Sequence, residues 1–258
     1  MINTDITAMD SIIRVNNKKY TDLLSDSFYD EINTPRDGWH FSDVLYCLKK
    51  AALHKKFKDY KIDDDNELHT LLNGKMWHEG VQHRLVSAYP GRFLIEHEIK
   101  YKEFVGHPDL IDVKDNVIIE LKTVKTSYAL TVGRSTAQAK KDHMKQIMCY
   151  MAATGIYDGV IIYHVLSTVK GEPEMYEFPV SITESAATML LREMDSKLKI
   201  AKRDPALIPV TDFTKSWETN WLCMFCPFAT AEHCPEGLRA KQMREHNKVA
   251  TAVNVKRR

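Results

Sequence analysis

Gly106-His107-Pro108-Asp109-Leu110-Ile111-Asp112-Val113-Lys114-Asp115-Asn116-Val117-Ile118-Ile119-Glu120-Leu121-Lys122 reads as two apolar strands, 104–113 and 117–124, joined by a turn. Asp115 and Asn116 tolerate φ > 0 and predict a two-residue hairpin loop. That loop sets Lys114 opposite Val117, Ile111 opposite Glu120, and Asp109 opposite Lys122. Alternate residues of a strand share a face, so Asp109, Glu120 and Lys122 point the same way, with opposed Cα atoms about 4.5–5.5 Å apart. Leu110, Ile119 and Leu121 fall on the other face, toward a core. A three-residue loop without a bulge would turn Asp109 away from Glu120.

Two carboxylates and a lysine on one face suit phosphodiester hydrolysis. Asp109 and Glu120 offer hard oxygens to Mg²⁺ or Mn²⁺. Such a cation lowers the pKa of a bound water from about 15.7 to about 7 in favourable sites. Lys122 would orient or deprotonate that water and balance charge. An Asp followed by Glu-x-Lys is common, however, and alone it more often marks a solvated face with a surface ion pair.

The flanks repeat the theme. Residues 65–89 read as a helix whose apolar side carries Leu71, Gly74, His78, Val81 and Leu85. A histidine on such a face is more often a core residue than a ligand, yet Gly74 one turn earlier permits a close approach. Ser135-Thr136-Ala137-Gln138 has the form of a capping box opening a second helix, on which His143, Gln146 and Tyr150 share a stripe. That stripe is either an ordinary polar face or a row of donors to phosphates.

Five cysteines without a secretory signal, transit segment or long apolar run suggest a reduced, cytoplasmic setting with no disulfides. Cys223-x2-Cys226 and Cys234 place three thiols in one short loop, the latter two each followed by proline. A fourth ligand is available at Cys47, on a helix expected from Ser42 as its cap. Four thiolates hold an iron–sulfur cluster or zinc. Cys149 is left over as a buried free thiol.

Phe41-Ser42-x3-Tyr46-Cys47, Gly74-x3-His78, Gly106-x2-Asp109, Ile119-Glu120-Leu121-Lys122-Thr123, His143-x2-Gln146-x3-Tyr150 and the Cys223/Cys226/Cys234 group follow one another in the order found in a known family. Together they resemble RecB-like PD-(D/E)xK nucleases with a four-cysteine [4Fe-4S] cluster, nearest to the stand-alone CRISPR-associated exonucleases. The resemblance spans roughly residues 41 to 236. It implies an α/β restriction-endonuclease-like core with a mixed sheet between helices, plus an iron–sulfur subdomain built from both ends of the chain.

It further implies His78, Asp109, Glu120 and the Leu121 main-chain carbonyl as metal ligands, Lys122 as catalytic lysine, and Gln146 and Tyr150 as an assisting pair. Cys47, Cys223, Cys226 and Cys234 would hold the cluster. The implied activity is 5′→3′ exonuclease action on single-stranded DNA ends or overhangs, in CRISPR spacer acquisition beside an integrase complex. A recombination, repair or viral DNA-processing nuclease, and a catalytically silent DNA-binding scaffold, are the alternatives.

The expected organisation is a helical extension (1–40), a helical segment supplying Cys47 and His78 (41–90), the nuclease core (91–204), a cysteine segment packing with 41–60 (205–240), and a basic tail (241–258). Strands are expected at 93–102, 159–168 and 174–180, with a last helix capped by Ser181-x2-Glu184 and running to about Arg203. No repeat or Gly-x4-Gly-Lys-Ser/Thr loop occurs, which excludes an encoded ATPase motor. With 36 basic and 35 acidic residues the net charge is +1, so DNA binding must rest on local patches. Lys49, Lys50, Lys55 and Lys56 form one candidate patch. Lys125, Arg134, Lys140, Lys141 and Lys145 form a second, and Lys256-Arg257-Arg258 a third. Trp77, Tyr128 and Trp221 could stack on unpaired bases or lie in the core.

Overall fold

The structure, a computed structural model, describes residues 28–29, 34, 37–58, 65–126, 130–132, 136–167, 174–209, 222–223 and 226–243. Most of the expected N-terminal extension and basic tail, together with Tyr128, Arg134, Ser135, Trp221 and Lys256-Arg257-Arg258, lie outside the described residues.

The first elements are β1 (Trp39–His40), α1 (Phe41–Leu45), α2 (Leu48–Lys56) and α3 (Asp65–Ala88). Short strands follow: β2 (Phe93–Ile95), β3 (Ile99–Tyr101), β4 (Phe104–Gly106) and β5 (Leu110–Asp112). Next come β6 (Val117–Thr126), β7 (Thr131–Val132), β8 (Thr136–Ala137) and α4 (Lys141–Thr154). The chain then forms β9 (Asp158–Ser167), β10 (Met175–Ser181) and α5 (Glu184–Ala201), before a 3-10 turn at Pro205–Leu207.

Five strands make the main sheet in the order β10-β9-β6-β5-β2, with β6 and β9 parallel and the other pairs antiparallel. Parallel neighbours need a crossover, and α4 supplies it. Gly155 stops that helix in the left-handed region at φ 74°, its N–H donating to the Met151 carbonyl at 3.0 Å. One face of the sheet packs Ile118, Val124, Ile161, Tyr163 and Val165 against apolar residues of α1, α4 and α5. The other packs Leu110, Ile119 and Leu121 beneath Trp77, Val81 and Leu85 of α3. This mixed sheet between helices is the expected α/β, restriction-endonuclease-like class.

Several local expectations give way. The loop between β5 and β6 has four residues, so Ile111 pairs with Ile118 and Leu110 with Ile119. The register differs by two residues from the expected one, because Asp112 holds the turn itself. Its Oδ1 accepts the N–H groups of Lys114 (3.0 Å) and Asp115 (3.2 Å), and Arg92 bonds to both Asp112 and Asp115. Only Asn116 takes positive φ, at 56°.

The expected strand 93–102 is broken at Glu96, which has φ 43°, and its halves join different sheets. The strand 104–113 is likewise interrupted at His107-Pro108-Asp109. Thr136–Ala137 form β8 rather than a cap, and α4 starts after Lys140. Thr183, not Ser181, caps α5, accepting the Ala186 N–H at 3.2 Å. Ser181 instead donates to Asp158 at 2.7 Å. The helix expected from Ser42 is two helices: His40 and Asp43 cap α1 reciprocally, Tyr46 breaks the run, and Cys47 caps α2. Among the described residues no helix is long and apolar enough to cross a membrane.

Candidate active site

The strand break at Asp109 is what builds the site. The Asp109 carbonyl accepts from Gln82 Nε2 on α3 (3.0 Å) and from the Glu96 N–H (3.2 Å), which pins the backbone from two sides. The β5–β6 pairing ends at Leu110 and Ile119, and just beyond it Asp109 lies next to Glu120, whose carboxyl feels both the Asp109 charge and the Asp109 main-chain N–H. The shift of register is even, so Glu120 and Lys122 keep a common face of β6, while Asp109 stands outside the paired part of β5 and reaches His78 of α3.

The Asp109 side chain accepts the Leu121 N–H on Oδ2 at 2.6 Å, and its Oδ1 stands 3.2 Å from His78 Nδ1. A proton given from Nδ1 leaves His78 Nε2 with a free lone pair, the form that ligates a cation. Leu71, expected on the same buried stripe, is exposed instead, and Leu72 is buried. Gly74 faces Thr123: a methyl added there would lie 3.4 Å from Thr123 Oγ1.

Glu120 is 2% exposed. Lys122 Nζ donates to its Oε1, while Oε2 is buried without a hydrogen-bond partner. Burial pushes the Glu120 carboxyl up to about 8; Asp109 adds to the rise and Lys122 opposes it. Burial disfavours the Lys122 charge, but Glu120 and Asp109 outweigh it and hold the ammonium above its ordinary range. A buried carboxylate oxygen left bare beside a second carboxylate suits a hard divalent cation, so the donors fit that group. The side chains are nonetheless turned to their neighbours, and among the described residues no three His, Cys, Asp or Glu side chains converge as a preformed metal cage.

On α4, Gln146 Nε2 donates to Tyr150 Oη at 3.0 Å. Tyr150 is buried edge-on to Phe41 and directly behind Gly106, so it braces the segment leading to Asp109. His143 turns inward, with Nδ1 2.8 Å from Tyr163 Oη. Tyr163 has no place in the sequence expectation. The signal for it was a single polar-tipped aromatic in an apolar strand, in direct register with Lys122. Gln82, one turn beyond His78, was missed on the same stripe.

Cys47, Cys223, Cys226 and Cys234 come close enough that charge on the other three raises the Cys223 pKa. Burial comes first, pushing Cys223 up to about 12. Main-chain N–H groups face three of the sulfurs: Lys50 to Cys47 at 3.5 Å, Phe228 to Cys226, and Gly237 to Cys234. Leu53, Phe57 and Phe228 wall the group, and a methyl at Gly237 would lie 3.0 Å from Cys234 Sγ. Buried thiols resist ionisation without positive charge, so these four would become ligands only with a metal core to supply it, and among the described residues they do not converge as a preformed cage. Cys149 is apart from them, fully buried, and pushed by burial up to about 12.

The expected basic patches are partly consumed by the fold. Lys49 is buried beside the cysteines, 3.6 Å from Glu236. Lys55 folds onto Trp39 and the Gly38 carbonyl, and Lys145 pairs with Glu193 at 2.7 Å. Lys56, Lys125, Lys140 and Lys141 remain exposed. Trp77, on the sheet-facing side of α3, packs over Leu110, Ile119 and Leu121 and stacks on His164, 5.2 Å between centroids.

No protein family and no curated protein matches the chain in sequence. Solved structures do match in shape. SSO0001 aligns with a TM-score of 0.54 and 16% identity over 86% of this chain and 99% of its own. The alkaline exonuclease LHK-Exo of Laribacter hongkongensis gives 0.47 and 12% over 69% and 92%. A phage-related exonuclease of Haemophilus somnus 129PT gives 0.47 and 12% over 64% and 92%. At such identities the likeness to SSO0001 is one of fold, the mixed sheet held between helices.

Proposed function

We propose that the chain is a metal-dependent DNA exonuclease acting on single-stranded ends or overhangs. The observation that carries this reading is the buried Glu120 carboxylate, paired to Lys122 through one oxygen and bare at the other, within the field of Asp109. His78 Nε2, Asp109, Glu120 and the Leu121 carbonyl would hold Mg²⁺ or Mn²⁺. When bound, the cation neutralises charge on the phosphate and acidifies an attacking water.

Each residue then has a separate task. Asp109 is aligned by the Leu121 N–H and His78, so its position is set before substrate arrives. Lys122 keeps its proton under the pull of Glu120 and Asp109, which suits it to orient the water and stabilise a pentacoordinate phosphate rather than act as a base. Tyr150 and Gln146 brace the Asp109 segment from behind.

Cys47, Cys223, Cys226 and Cys234 hold a [4Fe-4S] cluster that joins α2 to the C-terminal segment. The motif resemblance supports this choice over zinc, and it also supports 5′→3′ polarity and trimming of prespacer ends beside a CRISPR integrase complex. A brown preparation that bleaches on reduction is expected; a colourless zinc-containing one removes the cluster. Integrase genes next to this one are the corresponding test of the CRISPR setting.

Oligonucleotides labelled at the 5′ or 3′ end, incubated with Mg²⁺ or Mn²⁺ and with EDTA, test the activity and its polarity. Shortening that depends on the cation and disappears in Glu120→Ala and Lys122→Ala is expected. Undiminished cutting by either variant refutes the assignment.

A further inference from the structure

Tyr163 lies on β9 in direct register with Lys122, so the two side chains leave the sheet side by side on the face that carries Glu120. Its hydroxyl is placed between two groups. The Lys140 main-chain N–H donates to Tyr163 Oη at 3.1 Å, and His143 Nδ1 lies 2.8 Å from the same oxygen. A phenol has one hydrogen to give. The Lys140 N–H occupies a lone pair, and among the described residues His143 Nδ1 is the acceptor within reach for that hydrogen. Were Nδ1 to carry a proton instead, a fully buried hydroxyl would keep a hydrogen with no acceptor, a costly arrangement. The bonding therefore selects the imidazole tautomer with hydrogen on Nε2 and the lone pair on Nδ1.

The electrostatics agree with a neutral ring. Burial first, and the charges of Lys122 and Lys140 after it, together lower the His143 pKa to about 3. Burial raises Tyr163 to about 12, so the phenol keeps its hydrogen. A neutral imidazole whose one free hydrogen is fixed in direction is a donor of set orientation, next to the lysine of the candidate active site.

We infer that Tyr163 and the Lys140 main-chain N–H lock His143 as a neutral Nε2–H donor that binds a phosphate oxygen of the DNA strand beside Lys122. This rests on the nuclease reading above and assigns within it a substrate-binding role to His143 and a positioning role to Tyr163. A hydrogen bond to a charged oxygen is worth about ten- to a hundred-fold in affinity. Binding of a fluorescent single-stranded oligonucleotide in EDTA is expected to weaken by about that factor in His143→Ala. His143→Gln, which keeps an N–H near the Nε2 position, should recover most of the loss. Tyr163→Phe keeps the buried ring and should weaken binding through loss of the lock.

A long-range ¹H–¹⁵N spectrum of ¹⁵N-histidine-labelled protein reads the tautomer directly. Wild type should show His143 with hydrogen on Nε2, and Tyr163→Phe should shift that population. A wild-type Nδ1–H tautomer or imidazolium overturns the inference. Full-strength binding by His143→Ala in a protein that does cut DNA overturns it too, and leaves the nuclease reading standing. A wild type that binds through His143 yet never cuts overturns that reading and leaves this one.

Discussion

Replacing Gly106 by alanine tests how the site is braced. A methyl at that position would stand 2.7 Å from Tyr150 Cε1, 3.0 Å from Cδ1 and 3.1 Å from Ile99 Cγ1. Carbon atoms rest at about 3.5–4.0 Å, so the nearest approach is short by about 1 Å. Tyr150 has little room to retreat: it is buried, its ring meets Phe41 edge-on at 6.1 Å, and Gln146 holds its hydroxyl. Overpacking of this kind costs about 1–3 kcal/mol. For a chain of this size that is about 2–12 °C in melting temperature. Whatever part of the strain passes along the strand moves Asp109, three residues on, and misplacement of about 1 Å can lower a rate about a hundred-fold.

Urea denaturation and strand-cutting rates would be measured on Gly106→Ala, Tyr150→Leu and the double variant. Removing the ring removes the clash, so the double variant should be more stable than the sum of the single losses by about 1 kcal/mol or more. Gly74→Ala is the control, because its methyl makes an ordinary 3.4 Å contact with Thr123 and the helix gains from alanine. Additive losses in the cycle, or a Gly106→Ala protein as stable and active as wild type, would refute the reasoning.

Two further outcomes concern charge. In EDTA the metal-free protein should lose stability as pH rises from about 4.5 toward about 8, because the unfolded chain releases the Glu120 proton while the folded one retains it. Mg²⁺ should flatten that slope at pH 8 in urea titrations, and an unchanged slope would count against Glu120 as a ligand. Arg92→Ala should destabilise the β5–β6 turn at neutral pH, since Arg92 holds the buried Asp112 carboxyl below its usual range. The linkage runs the other way there: the stability from Asp112 is present above pH 3.8 and lost as pH falls, so the deficit of the variant should shrink in acid.

The sheet, its two flanking layers and the common face of Glu120 and Lys122 were legible because they depend on alternation. Alternation survives a register error of two, and the hairpin made that error: Asp112 closes the loop through its own side chain, a choice that turn propensity at Asp115 and Asn116 does not encode. Helix starts were less legible. Ser135-Thr136-Ala137-Gln138 has the letters of a capping box, yet Thr136–Ala137 pair with β7. Long-range partners were the least legible. Lys49 looks like a surface cation in sequence, and only the return of the C-terminal segment to α2 buries it against Glu236. Tyr163 reads as a core aromatic until α4 brings His143 and the Lys140 N–H onto its hydroxyl.

The break between α1 and α2 has a consequence for how the two halves of the protein communicate. Tyr46, whose phenol is raised by burial and by Asp142 and feels the fields of Lys122 and Glu120, is followed directly by Cys47 at the cysteine cradle. One peptide unit, about 3.8 Å between Cα atoms, is the whole distance from the wall of the candidate active site to the first of the four grouped cysteines. On the proposed reading, damage at the sulfurs reaches the groups around Lys122 and Glu120 directly, so oxidative loss of the proposed cluster and loss of the proposed cutting should follow the same time course.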